Sequence, residues 1–154
     1  MKSEHVNPFV DGTINTFEMM CGVVPKRNGK LSVLSGMIET FDLIGVIGLS
    51  GSIKGACLLT MPVDTGMKCV TSFLGEEIEE VNADLLDAYG ELLNIIAGAA
   101  AAKLTGMRVN LALPTVLIGK DQHLSSKSKA PWVVIPMKFD DWGEFNIEVS
   151  MEEV

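Results

Sequence analysis

The chain has 154 residues, 47% hydrophobic and 21% charged, with a formal net charge of −8 at pH 7. That length and composition suit a single domain over residues 1–154 with a real core, and exclude a disordered chain. The acidic balance argues against nonspecific nucleic-acid binding, which needs clustered Lys and Arg, and against attachment to an anionic membrane.

In chain order, a first helix is predicted from Asn7 to Gly22, with Pro8 in its first turn. Phe9, Val10, Ile14, Phe17 and Met20 or Cys21 recur at three- and four-residue steps, which makes one apolar face. The period then changes. Residues 30–41, 42–51 and 53–61 are short runs rich in Val, Ile and Leu, broken by Gly, Ser and Asp, and read as three strands. The glycines of "GSIKG" fit a turn better than a phosphate loop, since no Lys-Ser/Thr pair or helix start follows. A second helix is expected between Pro62 and Gly75, and "EEIEEVN" after it as a solvated connection. A third helix is predicted from Ala83 to Thr105, capped by Asn82 and stopped by Gly106. Residues 109–119, 131–139 and 144–151 again read as strands, with a polar loop at 120–130 that carries Lys127 and Lys129. A helix followed by three strands thus occurs twice, with an extra helix between. Gly22 falls opposite Gly106 in the two halves. The predicted class is α+β, one domain or two interleaved halves of one, with the halves pseudo-repeated and helices packed on a largely antiparallel sheet.

Three cysteines, Cys21, Cys57 and Cys69, contain no Cys-x-x-Cys, and no secretory leader is expected ahead of them. Buried free thiols in a reducing, cytoplasmic compartment are expected. His5 and His123 sit in no spaced ligand cluster, so no metal site is expected in this chain. No stretch is expected to span a membrane: the greasiest, Leu92 to Ala102, has 11 residues and is interrupted by Asn94. Trp132 and Trp142 are expected in the core or on a sheet face.

The third helix carries the chemistry. Asp84, Asp87, Glu91 and Asn94 follow at spacings of three, four and three, which forms one stripe. Continued, the stripe meets Gly98 and then Ala101 or Ala102. A mid-helix Gly costs roughly 1 kcal/mol relative to Ala, so a face shaved flat invites the close approach of another backbone. An amide has no useful pKa, but it can donate to one group while accepting from a water. Phosphoryl-transfer enzymes use a neutral Gln in that way, to place an attacking water. A neighbouring carboxylate suits an anchor for a partner's lysine.

These residues resemble a known family. "GELLNIIAGAAAAKL" is similar to the motif of the CheC/CheX-type chemotaxis phosphatases, Glu-x-x-Asn followed by Gly four positions on. "NPFVDGTINTFEMM" is similar to the first helix of the CheX-type branch, and the order of elements matches nearly the whole chain. Glu-x-x-Asn also occurs at Glu4–Asn7, where Pro8 argues against helical geometry for Asn7, and at Glu79–Asn82, where Asn82 reads as a cap. The resemblance implies a CheC-like fold and removal of phosphate from the aspartyl phosphate of a CheY-like response regulator. It implies that Asn94 positions water and that Glu91 pairs with the regulator's lysine. On the stripe itself Gly98, Ala101 and Ala102 are expected to serve docking, with Asp87 at its acidic end, where Asp84 and Asp87 also read as an ordinary wet helix face. No cofactor is then expected in this chain, and Mg2+ is expected on the regulator. Two-site relatives carry a second pair on the first helix. None lies between Pro8 and Gly22, so one site per chain is expected, as in the CheX-type branch, and resemblance to that branch implies a homodimer. Two other readings remain open: a docking module of the same fold, related to flagellar switch components, that binds without hydrolysis, and a small dimer whose stripe is only surface.

Overall fold

The structure is a computed structural model that describes residues 2–126 and 128–154; Lys127 lies outside the described residues. Helix α1 (Ser3–Cys21) buries Val6, Phe9, Phe17 and Cys21, and ends where Gly22 turns left-handed at φ 70°. Strands β1 (Lys26–Arg27), β2 (Ser32–Leu34) and β3 (Ile38–Glu39) follow, then a long hairpin of β4 (Leu43–Gly51) and β5 (Ile53–Met61). Helix α2 (Val63–Leu74) is bracketed by Pro62 and Gly75, as predicted. Helix α3 (Ala83–Lys103) starts on Asn82, whose Oδ1 accepts a 2.9 Å hydrogen bond from the Leu85 amide. The chain closes with β6 (Val109–Leu111), β7 (Thr115–Ile118), β8 (His123–Leu124), β9 (Trp132–Phe139) and β10 (Gly143–Glu153).

The main sheet is antiparallel at every pairing, in the order β1-β9-β10-β5-β4-β6. Beside that path β2 pairs with β9, and β7 pairs with β4. The first strands of each half therefore lie against the hairpin of the other half. The two halves are interleaved about the central β5–β10 pair, which is the pseudo-repeated α+β arrangement expected.

Several boundaries differ from expectation. Helix α1 begins at Ser3, so Pro8 is its sixth residue and Asn7 is helical. Burial of Val6, Pro8 and Phe9 holds that extra turn in place, and packing overrides the local bias against a helical residue before proline. The strand predicted at 30–41 is split into β2 and β3, which join different sheets, and the one at 109–119 is split into β6 and β7. The polar loop is ordered at β8, which pairs with β3 as a small separate sheet, Ile38 opposite Leu124 and Glu39 opposite His123. Helix α3 is also, by length and composition alone, long and apolar enough to cross a bilayer, against expectation. Leu85, Leu86 and Ala88 upstream extend the apolar stretch beyond Leu92–Ala102. Half of that window is buried against the rest of the fold, as in a core helix.

The helices cover one face of the sheet and enclose the main core, which includes Phe17, Leu59, Tyr89, Phe145 and Ile147, together with the free thiols Cys21, Cys57 and Cys69. Burial raises all three thiol pKa values. Trp132 is buried and Trp142 half-buried. The opposite face is covered by a smaller cluster of Ile38, Ile44, Leu58 and Trp132, with Leu124 of β8 against it. Glu148 projects from β10 on that face, between its cross-strand neighbours Leu58 and Val134. It is 1% exposed, and its Oε2 has no hydrogen-bond partner. Desolvation lifts its pKa from 4.5 to about 7, against a hydrogen bond from Asn146 that lowers it. The folded state therefore holds this proton more tightly than the unfolded chain. The stability linked to it is complete below pH 4.5 and is lost as pH rises through about 7. Glu148→Gln is expected to remove that loss, gaining on the order of 3 kcal/mol relative to wild type between pH 4.5 and pH 8; urea unfolding of both proteins at the two pH values measures it.

Candidate functional site

Helix α3 is fixed to the sheet along a wide face. Leu85, Tyr89, Leu92, Leu93, Ile96 and Ala100 are fully buried. The Tyr89 hydroxyl donates a 2.7 Å hydrogen bond to the Leu59 carbonyl of β5, a buried tether with no signature in the local residues. Burial pushes the phenol pKa well above its ordinary value, so Tyr89 stays a donor. Gly45 of β4 makes room for this seat: a Cβ there would lie 3.0 Å from Leu93 Cδ2 and 3.2 Å from Tyr89 Cε2. On its flank, α3 meets α1 at Gly12, where a Cβ would lie 3.1 Å from the Ile96 carbonyl oxygen and 3.4 Å from Ala99 Cβ. The small residues Ala99 and Ala100 thus serve packing within the chain.

With that face sealed, the stripe is turned outward. Asp84, Asp87, Glu91 and Ala102 are exposed, and Asn94, Gly98 and Ala101 are half-buried. All the predicted site residues therefore lie on one accessible ridge. Among the described residues the ion pairs join Lys26 to Asp140 and Lys103 to Asp11, His5 lies near Glu4 and His123 near Glu39, and none of these contacts engages Glu91. Glu91 and Asn94 lie one turn apart on this outer face. A groove of about 750 Å³ lies elsewhere, on α2 between Lys68, Thr71, Glu77 and Trp142. The ridge suits a convex tool that enters another protein's site, and not a pocket that receives a small molecule. Among the described residues, no group of three or more His, Cys, Asp or Glu gathers to hold a metal.

The other Glu-x-x-Asn pairs separate from this one by context. Glu4 and Asn7 are both in α1 and both exposed, a correction to the reading of Asn7 as non-helical. Their turn carries His5, which lies 3.7 Å from Glu4, and no run of small residues follows it. Asn82 is a helix cap, as expected.

A model of the family described as chemotaxis phosphatase CheX matches residues 43–138. The chain belongs to the CheX family. It is 30% identical to the CheY-P phosphatase CheX of Thermotoga maritima, over 99% of this chain and 98% of that one. The crystal structure of a chemotaxis protein CheX from Desulfovibrio desulfuricans matches with a TM-score of 0.87 and 32% identity, over 97% of this chain and 99% of that one. The same fold recurs at a TM-score of 0.79 and 21% identity, over 97% and 98% of the two chains, in the CheX–CheY–BeF3–Mg2+ complex of Borrelia burgdorferi. As a CheX-family member this protein is a phosphatase of the chemotaxis type.

The glycines of α3 divide by what faces them. At Gly90 a Cβ would touch Val116 at 3.4 Å and Pro114 at 3.6 Å, ordinary contacts. At Gly98 only Leu111 comes near, at 3.9 Å, so packing within the chain does not demand a glycine there. Gly98→Ala is expected to raise the melting temperature, with a gain of up to about 1 kcal/mol from helix propensity. Gly12→Ala, crowded by backbone, is expected to lower it; parallel thermal melts of the two variants read the opposite signs.

Proposed function

We propose that this protein hydrolyses the aspartyl phosphate of a CheY-like response regulator, with Asn94 and Glu91 as the working pair. The observation that carries this reading is their placement. A half-buried amide and an exposed carboxylate share the outer ridge of a helix whose opposite face is sealed. Membership of the CheX family and the substrate named for the Thermotoga maritima relative support it. So does the CheX–CheY complex of Borrelia burgdorferi.

In this mechanism the ridge enters the regulator's active site. Glu91 pairs with the regulator's lysine and sets the register of the docked helix. The Asn94 amide oxygen accepts a hydrogen bond from a water and holds it in line with the phosphorus. As the water oxygen bonds to phosphorus, the bond to the aspartate carboxylate oxygen breaks, releasing inorganic phosphate and the free carboxylate. Asn94 takes no proton; its contribution is position. A Mg2+ carried by the regulator would neutralise charge on the phosphoryl oxygens. Gly98, Ala101 and Ala102 keep the ridge low enough for close approach, and Asp87 extends its acidic end. We place one such site in each chain, working in the cytoplasm. We further propose a homodimer formed through a free sheet edge, since β2 presents the exposed Val33 and Leu34 at one edge and β7 presents Leu117 at the other.

The test is to phosphorylate a CheY-like regulator with a small phosphodonor, remove the donor, and follow phosphate loss. Wild-type protein is expected to accelerate the decay. Asn94→Ala is expected to lower the saturating rate on the order of 100-fold while binding persists. Glu91→Ala is expected to weaken association roughly tenfold. Binding without acceleration by the wild-type protein would point instead to a docking module, and silence of Asn94→Ala would reduce the stripe to surface.

A further inference from the structure

The edge strand beside α3 carries an irregularity that the phosphatase reading does not use. Both β6 and β7 pair with β4, but in different registers. Leu111 lies opposite Leu49, and the Ala112 amide still donates to the Gly48 carbonyl at 2.9 Å. Thr115 lies opposite Val46. From Leu49 to Val46 is three steps on β4, whereas from Leu111 to Thr115 is four on the edge (49 − 46 = 3; 115 − 111 = 4). One extra residue is therefore inserted between the two strands, a β-bulge.

The bulge brings out Leu113. That side chain is 90% exposed, more than any other large hydrophobic residue among the described residues. The bulge itself is held on both sides. Pro114 sits against Gly90 of α3, and Leu111 approaches Gly98. The segment 112–113 therefore runs past the helical turns that bear Glu91 and Asn94. Farther along β7, Ile118 is on the same side as Val116 by strand alternation and is 38% exposed. An apolar strip thus flanks the polar ridge on its strand side.

The other half of the molecule is an internal comparison. There the break is longer by one: from Arg27 to Ser32 is five steps on the edge, against three from Met137 to Val134 on β9 (32 − 27 = 5; 137 − 134 = 3). Gly29 is in the matching break of the opposite edge, between β1 and β2 on β9, and has a φ of 102°. That break, residues 28–31, has Leu31 as its one large hydrophobic residue, 38% exposed, where Leu113 is 90% exposed. The half that has the pair carries a leucine held out in water, where it gains nothing for folding.

We infer that Leu113 is a docking residue for the phosphorylated regulator, an apolar anchor beside the ridge from which Asn94 acts. This rests on the phosphatase reading above. A leucine that leaves water on docking favours association through the apolar area it buries. A division of labour follows: Leu113 acts on association and Asn94 on the chemical step.

The experiment measures dephosphorylation as a function of the concentration of phosphorylated regulator, for wild type, Leu113→Ser, Leu113→Met and the surface control Leu74→Ser. Leu113→Ser is expected to raise KM about tenfold with kcat within about twofold. Leu113→Met is expected to restore most of the affinity, and Leu74→Ser to behave as wild type. Thermal melts and sedimentation of each variant are expected to match wild type. If wild type accelerates decay and Leu113→Ser leaves KM unchanged, the docking role is overturned and the phosphatase reading stands. A change in oligomeric mass without a change in KM overturns it in favour of self-association. If wild type accelerates no regulator, the phosphatase reading falls and the docking role falls with it.

Discussion

The seat of α3 on the sheet is the constraint on which the site depends. Tyr89 and Leu93 press onto Gly45, and the Tyr89 hydroxyl is spent on the Leu59 carbonyl. These contacts fix the rotation of the helix about its axis. With the rotation fixed, the polar stripe has one direction available, away from the core. A helix this apolar, with Gly and Ala through its second half, would otherwise offer several faces for burial. The tether selects one, and so Glu91 and Asn94 are presented without any loop to carry them. Sites built on the rigid elements of a scaffold hold their geometry better than sites built on loops.

The same seat explains why the helix mixes two kinds of small residue. Ala99 and Ala100 lie where Gly12 of α1 comes close, and their size is a condition of helix packing. Gly98 faces little within the chain, and its cost in helix propensity has no return in the folded monomer. Small residues in sequence therefore carry two meanings, and only the neighbour across the gap separates them.

Much of this was legible in the sequence. The caps at Asn82 and Gly75, the αL stop at Gly22 and the three-and-four spacing of Asp84, Asp87, Glu91 and Asn94 are local features, and local features survive folding. The double helix-plus-strands pattern was visible for the same reason. What could not be read were relations between distant segments. The helical state of Asn7 depends on burial of Pro8 and Phe9, which no window around Pro8 contains. The β3–β8 pairing joins residues about 85 positions apart in a loop that reads as polar. The Tyr89–Leu59 tether and the buried Glu148 belong to the same class, since an isolated tyrosine or glutamate says nothing of its partner. Glu-x-x-Asn occurs three times in the chain, and only the surroundings of the third occurrence distinguish it.

The exchange of outer strands between the two halves has a consequence for how the molecule is made. When residue 61 has left the ribosome, α1 and the β4–β5 hairpin exist, but β2 has nothing to pair with until β9 arrives some 70 residues later. The first half cannot finish alone, and the second cannot finish without it. Synthesis therefore ends in one late, cooperative closure around the central strands, with an unpaired edge to be kept from neighbouring nascent chains until then.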